Sequence, residues 1–348
     1  MNPFILLILI LSLIMGTLMT FTMTNWLLIW MGLEINTMAI IPLMIYKHHP
    51  RAVEASTKYF ITQATASAML LFGGTINAWL TGQWELTQTT NQTTTMFITL
   101  ALALKLGLAP MHFWLPEVMQ GISLSTGMIL ATWQKLAPLA ILLQLHQMLN
   151  PHLLTILGLT SIFVGGWGGL NQTQLRKILA YSSIAHLGWM VSILHYMPNL
   201  TMLNLIIYLI MTSSMFMMLM YINSTKIESI TPSGMKTQLI TPIFLTSLLS
   251  LGGLPPLSGF MPKWLIIEEL IKQNMMLTIT IMTLATLLSL FFYLRLCYMI
   301  TLTISPNLTL STSTWQSPTP KPNMLLTTST TMSLMLLPLT PMMFTLTL

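Results

Sequence analysis

Apolar residues in this chain gather in long windows, with only rare polar positions inside them. Windows of about 20 residues, the length that spans a bilayer's hydrocarbon as a helix, fall near 3–21, 25–46, 59–80, 96–116, 122–145, 152–171, 176–195, 199–222, 240–270, 276–302 and 324–346. The pattern predicts an all-α polytopic membrane protein with eleven transmembrane helices. The window 240–270 is too long for one straight helix and holds Gly252, Gly253, Pro255, Pro256 and Pro262. Proline removes a backbone donor and clashes with the preceding turn, so this window reads as one broken crossing. Phe4–Phe21 follows Met1 without a basic leader or a small-residue cleavage site, and is expected to be a retained first helix. Segments 223–239 (Pro232, Ser233, Gly234) and 303–323 (Pro306, Pro318, Pro320, Pro322) read as extramembrane loops.

The polar remainder sets the orientation. With eleven crossings, loops on one side carry Lys47, Arg51, Lys58, Arg176, Lys177, Lys226, Lys236 and Lys321, and the other side carries only Lys272. Positive charge marks the cytoplasm-like or matrix side, so the N-terminus is expected there and the C-terminus across the membrane. Splitting 240–270 into two crossings would move Lys321 to the other face and weaken the bias.

Composition then excludes function classes. Charged residues make up 6% of the 348, apolar residues 54%, and the mean hydropathy is +0.76. A soluble domain carries roughly a quarter charged residues, so a soluble enzyme or nucleic-acid binder is excluded. The formal charge of +6 is scattered over loops, with no basic run to track phosphates. One cysteine, Cys297, rules out an intramolecular disulfide, a four-cysteine zinc site and an iron–sulfur cluster within the chain, and reads as buried filler. His48-His49 lacks the spacing of a metal pair, and Gly165-Gly166-Trp167-Gly168-Gly169 lacks the loop-to-helix context of a nucleotide site and reads as close helix packing.

An internal repeat joins two of the windows. Gly107-Leu-Ala-Pro-Met-His-Phe-Trp-Leu-Pro-Glu117 aligns without gaps on Gly253-Leu-Pro-Pro-Leu-Ser-Gly-Phe-Met-Pro-Lys263, an offset of 146 residues. The copies lie five crossings apart, so the second is inverted in the membrane. Each copy breaks its helix near mid-membrane, where freed carbonyls must be buried in protein or line a cavity. Residues 1–150 and 151–302 are thus expected to be two inverted five-helix bundles, each with a proline-broken helix. Residues 303–348 add a loop and one extra C-terminal helix.

Five charges fall inside the expected spans: Glu34, Lys105, Lys135, Lys263 and Arg295. A charge at the centre of a lone helix costs roughly 2.5–3.5 kcal/mol on insertion scales. Glu34 therefore calls for a partner, a proton or hydration, as a structural hydrogen-bonding carboxyl or as a proton carrier. Low dielectric loosens a lysine's hold on its proton and a nearby carboxylate tightens it, so Lys105 and Lys135 can be toggled. Glu34 is expected to approach Lys105, directly or through one water. Lys263 ends the second repeat copy where Glu117 ends the first, suiting an exit and an entrance. Arg295 lies nearer the end of its span and can snorkel. His112 and His186 are either proton relays or satisfied core histidines.

The runs Lys105–Glu117, Arg176-Lys-Ile-Leu-Ala-Tyr-Ser-Ser-Ile-Ala-His186 and Gly252–Lys263 resemble the antiporter-like subunits of respiratory complex I, over essentially the whole chain. The resemblance implies a buried polar axis in which Glu34 and Lys105 form a coupled pair, Lys135 is the central relay and Lys263 serves the second broken helix. It implies proton translocation coupled to electron transfer from NADH to ubiquinone. No cofactor is expected in this chain; NADH, FMN, iron–sulfur clusters and ubiquinone belong to other subunits. Implied neighbours are antiporter-like subunit 4, small subunit 4L, accessory subunits and phospholipid, with cardiolipin at Arg176-Lys177. The implied location is the mitochondrial inner membrane, N-terminus in the matrix and C-terminus in the intermembrane space. Full-length relatives begin with three further helices, a departure that bears on the proton path. Two other readings stand beside this one: a scaffold that transmits electrostatic coupling without conducting, and a free-standing cation/proton antiporter.

Overall fold

In the computed structural model two of the helices start on side-chain caps supplied by the chain. The structure describes residues 3–46, 48–89, 91–229, 240–302 and 324–347. Among them are fifteen α-helices, and the only extended pairings are two isolated bridges, Asn25 with Glu85 and Gln174 with Lys226. Lys47, Lys236 and Lys321, three of the eight basic loop residues, lie outside the described residues, as does most of the loop at 223–239 and all of that at 303–323.

The chain forms two compact units. The first, Met1–Ser161 with Val191–Pro198, contains α1 (Pro3–Thr22), α2 (Trp26–Ile45), α3 (Pro50–Thr81), α4 (Gln92–Leu106), α5 (Trp114–Gly121), α6 (Leu124–Ala131), α7 (Trp133–Gln144) and the start of α8 (Pro151–Gly169). The Asn25 side chain caps α2 by accepting from the Leu27 amide. His49 does the same for α3 through the Arg51 amide, with Pro50 in the first turn, where its missing donor costs nothing. Without water to drive apolar helices together, close approach rests on small residues. A Cβ at Gly16 of α1 would lie 2.8 Å from the Gly32 carbonyl of α2, and one at Gly121 of α5 would lie 2.6 Å from the Arg51 carbonyl of α3.

The second unit, Ile162–Met190 with Asn199–Leu348, holds the rest of α8, most of α9 (Leu175–Ile193) and of α10 (Pro198–Ile222), then α11 (Ile240–Gly252), α12 (Phe260–Lys272), α13 (Met276–Leu302), α14 (Met324–Met335) and α15 (Thr340–Thr347). Here the glycine run of α8 packs two helices at once. A Cβ at Gly165 would meet the Ala185 amide at 2.7 Å and one at Gly168 would run into the Tyr181 ring, both on α9. One at Gly169 would meet the Phe292 ring of α13 at 2.8 Å. Arg295 of α13 donates to the Leu170 carbonyl, just past the end of α8, at 2.6 Å. The cation thus answers a helix C-terminus.

Six helical stretches are long and apolar enough to cross a membrane by length and composition. The eleven-window expectation is finer than this for a physical reason. α4, α5, α11 and α12 are halves of broken helices, and α3 carries threonines, glutamine and asparagine along its 32 residues. Two breaks went unexpected. The window 122–145 is interrupted at Thr132 (φ −108°, ψ −70°), where neither glycine nor proline marks the spot. The window 324–346 is interrupted by a 3-10 turn, Leu337–Leu339, which Pro338 explains by lacking an amide hydrogen.

Candidate functional site: two helix breaks and their lysines

Each repeat copy ends a helix on a left-handed glycine. In the first unit α4 stops at Leu106, Gly107 takes φ 76°, and the amides of Gly107 and Leu108 both donate to the Ala103 carbonyl at 2.9 Å. In the second, α11 stops at Gly252, Gly253 takes φ 82°, and the amides of Gly253 and Leu254 donate to the Leu249 carbonyl at 3.2 and 3.4 Å. All these positions match at the offset of 146 read from the sequence. Both are Schellman-type ends, which satisfy early carbonyls and leave the last ones for side chains.

In the first unit the Leu106 carbonyl accepts from the Nζ of Lys135, on α7. The Leu104 carbonyl accepts from the Trp114 indole at 3.1 Å, so the first residue of α5 ties back to α4. Lys135 and Lys105 are buried, at 2% and 5% exposure, so neither ammonium reaches bulk water. The Lys105 ammonium has no hydrogen-bond partner among the described residues. Both lysines line a cavity with about 10 Å³ for the centre of a water molecule, together with Asn36, Thr37, Tyr59, Gln63 and Gln134. Asn36, Gln63 and Gln134 each have amide atoms there without a protein partner. A small cavity ringed by unsatisfied polar atoms is a place for bound water.

Glu34 is half-buried and faces a different, open groove of about 410 Å³ between α1 and α2, lined by Leu9, Ser12, Trp30 and Met38 among others. Its carboxylate accepts from the Thr37 hydroxyl at 3.1 Å, and Thr37 also lines the lysine cavity. The ion pairs within 4.0 Å among the described residues do not include Glu34 with Lys105.

In the second unit Lys263 of α12 donates to the Gly252 carbonyl at 2.9 Å, and the His186 ring on α9 hydrogen-bonds to the Leu251 carbonyl. These two side chains share a cavity, again of about 10 Å³, with Trp189, Ser289 and Tyr293. His186 also lies 5.7 Å from the Tyr208 ring. His112 is buried within the first break, its Nδ1 3.3 Å from the Pro110 carbonyl, and does not line the first cavity. Glu117, aligned with Lys263, is exposed and pairs with Lys58 at 2.9 Å. Sequence reasoning passed over Asn36, Gln63, Gln134 and Tyr59. The signal of the first three was available, as amides inside apolar windows. No group of three metal-ligating side chains occurs among the described residues.

Apolar helices with two proline-broken segments, two buried lysines at the first break and a half-buried one at the second, define a polytopic membrane protein. The family described as NADH:quinone oxidoreductase/Mrp antiporter, TM, matches residues 23–289, and the one described as NADH dehydrogenase subunit 2 C-terminus matches residues 290–344. Proteins named NADH-ubiquinone oxidoreductase chain 2 are similar throughout: 65% identical in Squalus acanthias, covering 100% of both chains, and 62% in Scyliorhinus canicula, covering 98% of each. The chain belongs to this family, as a member of its NADH-ubiquinone oxidoreductase chain 2 branch. Among solved structures, respiratory complex I from Thermus thermophilus contains a chain matched at TM-score 0.82 and 26% identity, over 94% of this chain and 76% of that one. The Mrp complex from Dietzia sp. shares the fold, at TM-score 0.76 and 18% identity, over 84% of this chain and 60% of that one.

Proposed function

We propose that this chain is a membrane-arm subunit of proton-pumping NADH:ubiquinone oxidoreductase, respiratory complex I, and that it takes part in proton translocation. Family membership over residues 23–344 and whole-chain identity to named chain 2 proteins support the assembly. The observation that carries the proton role is Lys135: a buried ammonium on a freed helix-end carbonyl, beside a second buried lysine, in a polar cavity. A proton held there in low dielectric is exchangeable. Glu34 and Lys105 act as the coupled pair, Lys135 as the relay and Lys263 as its counterpart in the second bundle, with His112 and His186 as further relays.

The finer reading follows the sequence: eleven crossings in two inverted five-helix bundles, 1–150 and 151–302, with 303–348 as loop and last helix. The N-terminus lies on the matrix side of the mitochondrial inner membrane, and the C-terminus faces the intermembrane space. Electron-carrying groups (FMN, iron–sulfur clusters, NADH and ubiquinone) bind other subunits. Antiporter-like subunit 4 and small subunit 4L flank the chain, with accessory subunits nearby and cardiolipin against Arg176-Lys177.

The experiment is Lys135→Met in the intact complex. It keeps much of the apolar stem and removes the proton site. The complex should assemble, while proton pumping and coupled NADH oxidation in sealed membranes both fall. Lys135→Arg should impair turnover too, because guanidinium does not deprotonate at accessible pH. Normal pumping per electron in either variant would overturn the relay and favour the scaffold reading. That second reading draws on one observation: each cavity has room for about one water, too little for a continuous wire in this conformation.

A further inference from the structure

The end of α11 accounts for its carbonyls one by one. A helix leaves its last four without intrahelical partners. Leu249 takes the amides of Gly253 and Leu254, and Ser250 takes that of Gly253 at 3.0 Å. Leu251 takes His186, and Gly252 takes the Lys263 ammonium at 2.9 Å. Lys263 sits eleven residues beyond its acceptor, and its side chain folds back over the residue just past the helix end.

That residue is Gly253. A Cβ built there would lie 2.7 Å from Lys263 Nζ and 3.1 Å from its Cδ and Cε, and these are the three nearest atoms. The other left-handed glycines differ. At Gly107 the nearest atom would be Leu115 Cδ1 at 3.0 Å, and at Gly82 (φ 73°) nothing lies within 4 Å. Left-handed backbone alone favours glycine at all three. Only at 253 does the absent side chain also make room for an ammonium.

We propose that Gly253 is a positioning residue for Lys263: its bare Cα lets the ammonium lie on the Gly252 carbonyl at the helix break. This rests on the reading of Lys263 as a proton-carrying residue. A methyl group at 253 would push the flexible end of the lysine off its acceptor while leaving the helix end in place.

The test compares Gly253→Ala, Gly82→Ala and Lys263→Met in the assembled complex in sealed membranes. Both glycine variants carry the same left-handed backbone penalty, so Gly82→Ala reads strain alone. Coupled turnover per assembled complex should fall roughly tenfold in Gly253→Ala, the scale of one lost hydrogen bond to a charged group, and stay unchanged in Gly82→Ala. The alkaline limb of the pH profile should move to lower pH in Gly253→Ala, because the protonated lysine loses its acceptor. The titratable groups sharing its cavity, His186 of α9 and Tyr293 of α13, are not among the atoms nearest the added methyl.

Wild-type turnover and an unmoved limb in Gly253→Ala, with Lys263→Met impaired, would overturn the positioning role and leave the reading of Lys263 standing. Normal pumping by Lys263→Met would overturn that reading and the proposal with it. Should Gly253→Ala fail to assemble, the double variant with Lys263→Ala decides. Restored assembly supports a collision with the lysine, and continued failure refutes it.

Discussion

The two helix breaks present the same acceptor to different donors. Leu106 and Gly252 are equivalent residues, each the last of its helix, and each carbonyl takes a lysine ammonium. In the first unit the lysine comes from a separate helix, α7. In the second it comes from α12, the other half of the same broken helix. The second copy is therefore self-contained, tied across its own break, with His186 on the adjoining carbonyl. The first copy borrows Lys135 and leaves a further buried ammonium, Lys105, without a hydrogen bond among the described residues. What the repeat keeps is the backbone that frees a carbonyl. The cation that answers it is a separate choice, and Glu117, at the position equivalent to Lys263, is turned outward to Lys58.

The sharpest way to break this comparison is to remove Lys105 and Lys135 in turn. Lys135→Met orphans the Leu106 carbonyl, at about 1–3 kcal/mol for a buried group left unsatisfied. Lys105→Met removes an ammonium that donates no hydrogen bond among the described residues, so the complex should be about as heat-stable as the wild type while pumping falls. Melting of the purified complex and pumping in vesicles separate the two effects. Equal destabilisation by both changes would show that Lys105 has an acceptor after all.

A smaller effect is expected at Gly107. Gly107→Ala meets Leu115 Cδ1 at 3.0 Å and forces a side chain into left-handed backbone. The strain is about 1–2 kcal/mol, and no lysine is displaced. The amount of assembled complex should drop while turnover per assembled complex holds, in contrast to Gly253→Ala. A matching loss of turnover in Gly107→Ala would erase the distinction between the two breaks.

Much of this was legible in the residues. The breaks at Pro110 and Pro255-Pro256 followed from proline's missing donor, and the close packing of Gly165–Gly169 from the absence of side chains. The lysines stood out because charge in an apolar window is costly. What did not read out was partnership. Nothing in the order of residues says that Lys135, 29 positions from Leu106, reaches that carbonyl, or that Glu34 lines a groove of its own. Helix rotation decides both, and α2 is apolar nearly all round, so its pattern does not fix which side turns inward. The interruption at Thr132 was illegible for want of a glycine or proline. The one at Leu337–Leu339 carries proline's signature in Pro338.

The smallest predicted effect lies at Glu117, where the first copy departs from the second. Lys58 near the start of α3 holds Glu54 at 2.7 Å and Glu117 of α5 at 2.9 Å, all three side chains exposed. The Lys58 hydrogen bond and charge hold the Glu54 carboxyl below its ordinary 4.5, and hydrogen bonds to Glu54 and Glu117 raise the Lys58 ammonium above its ordinary 10.5. The signs fix the window. The Glu54 contribution is fully present above pH 4.5 and is lost as pH falls through the lowered value. That of Lys58 is fully present below pH 10.5 and is lost as pH rises through the raised value. Across neutral pH the cluster is intact, and exposure and salt keep its worth marginal. Lys58→Met should therefore lower the melting temperature of the complex slightly in low salt at neutral pH. The difference should shrink in high salt and below pH 4.5. A difference independent of both salt and acid would mean that the lysine stem, packed between α3 and α5, matters and the ion pairs do not. Glu117 would then be a mere surface residue, and its contrast with Lys263 would carry no electrostatic content.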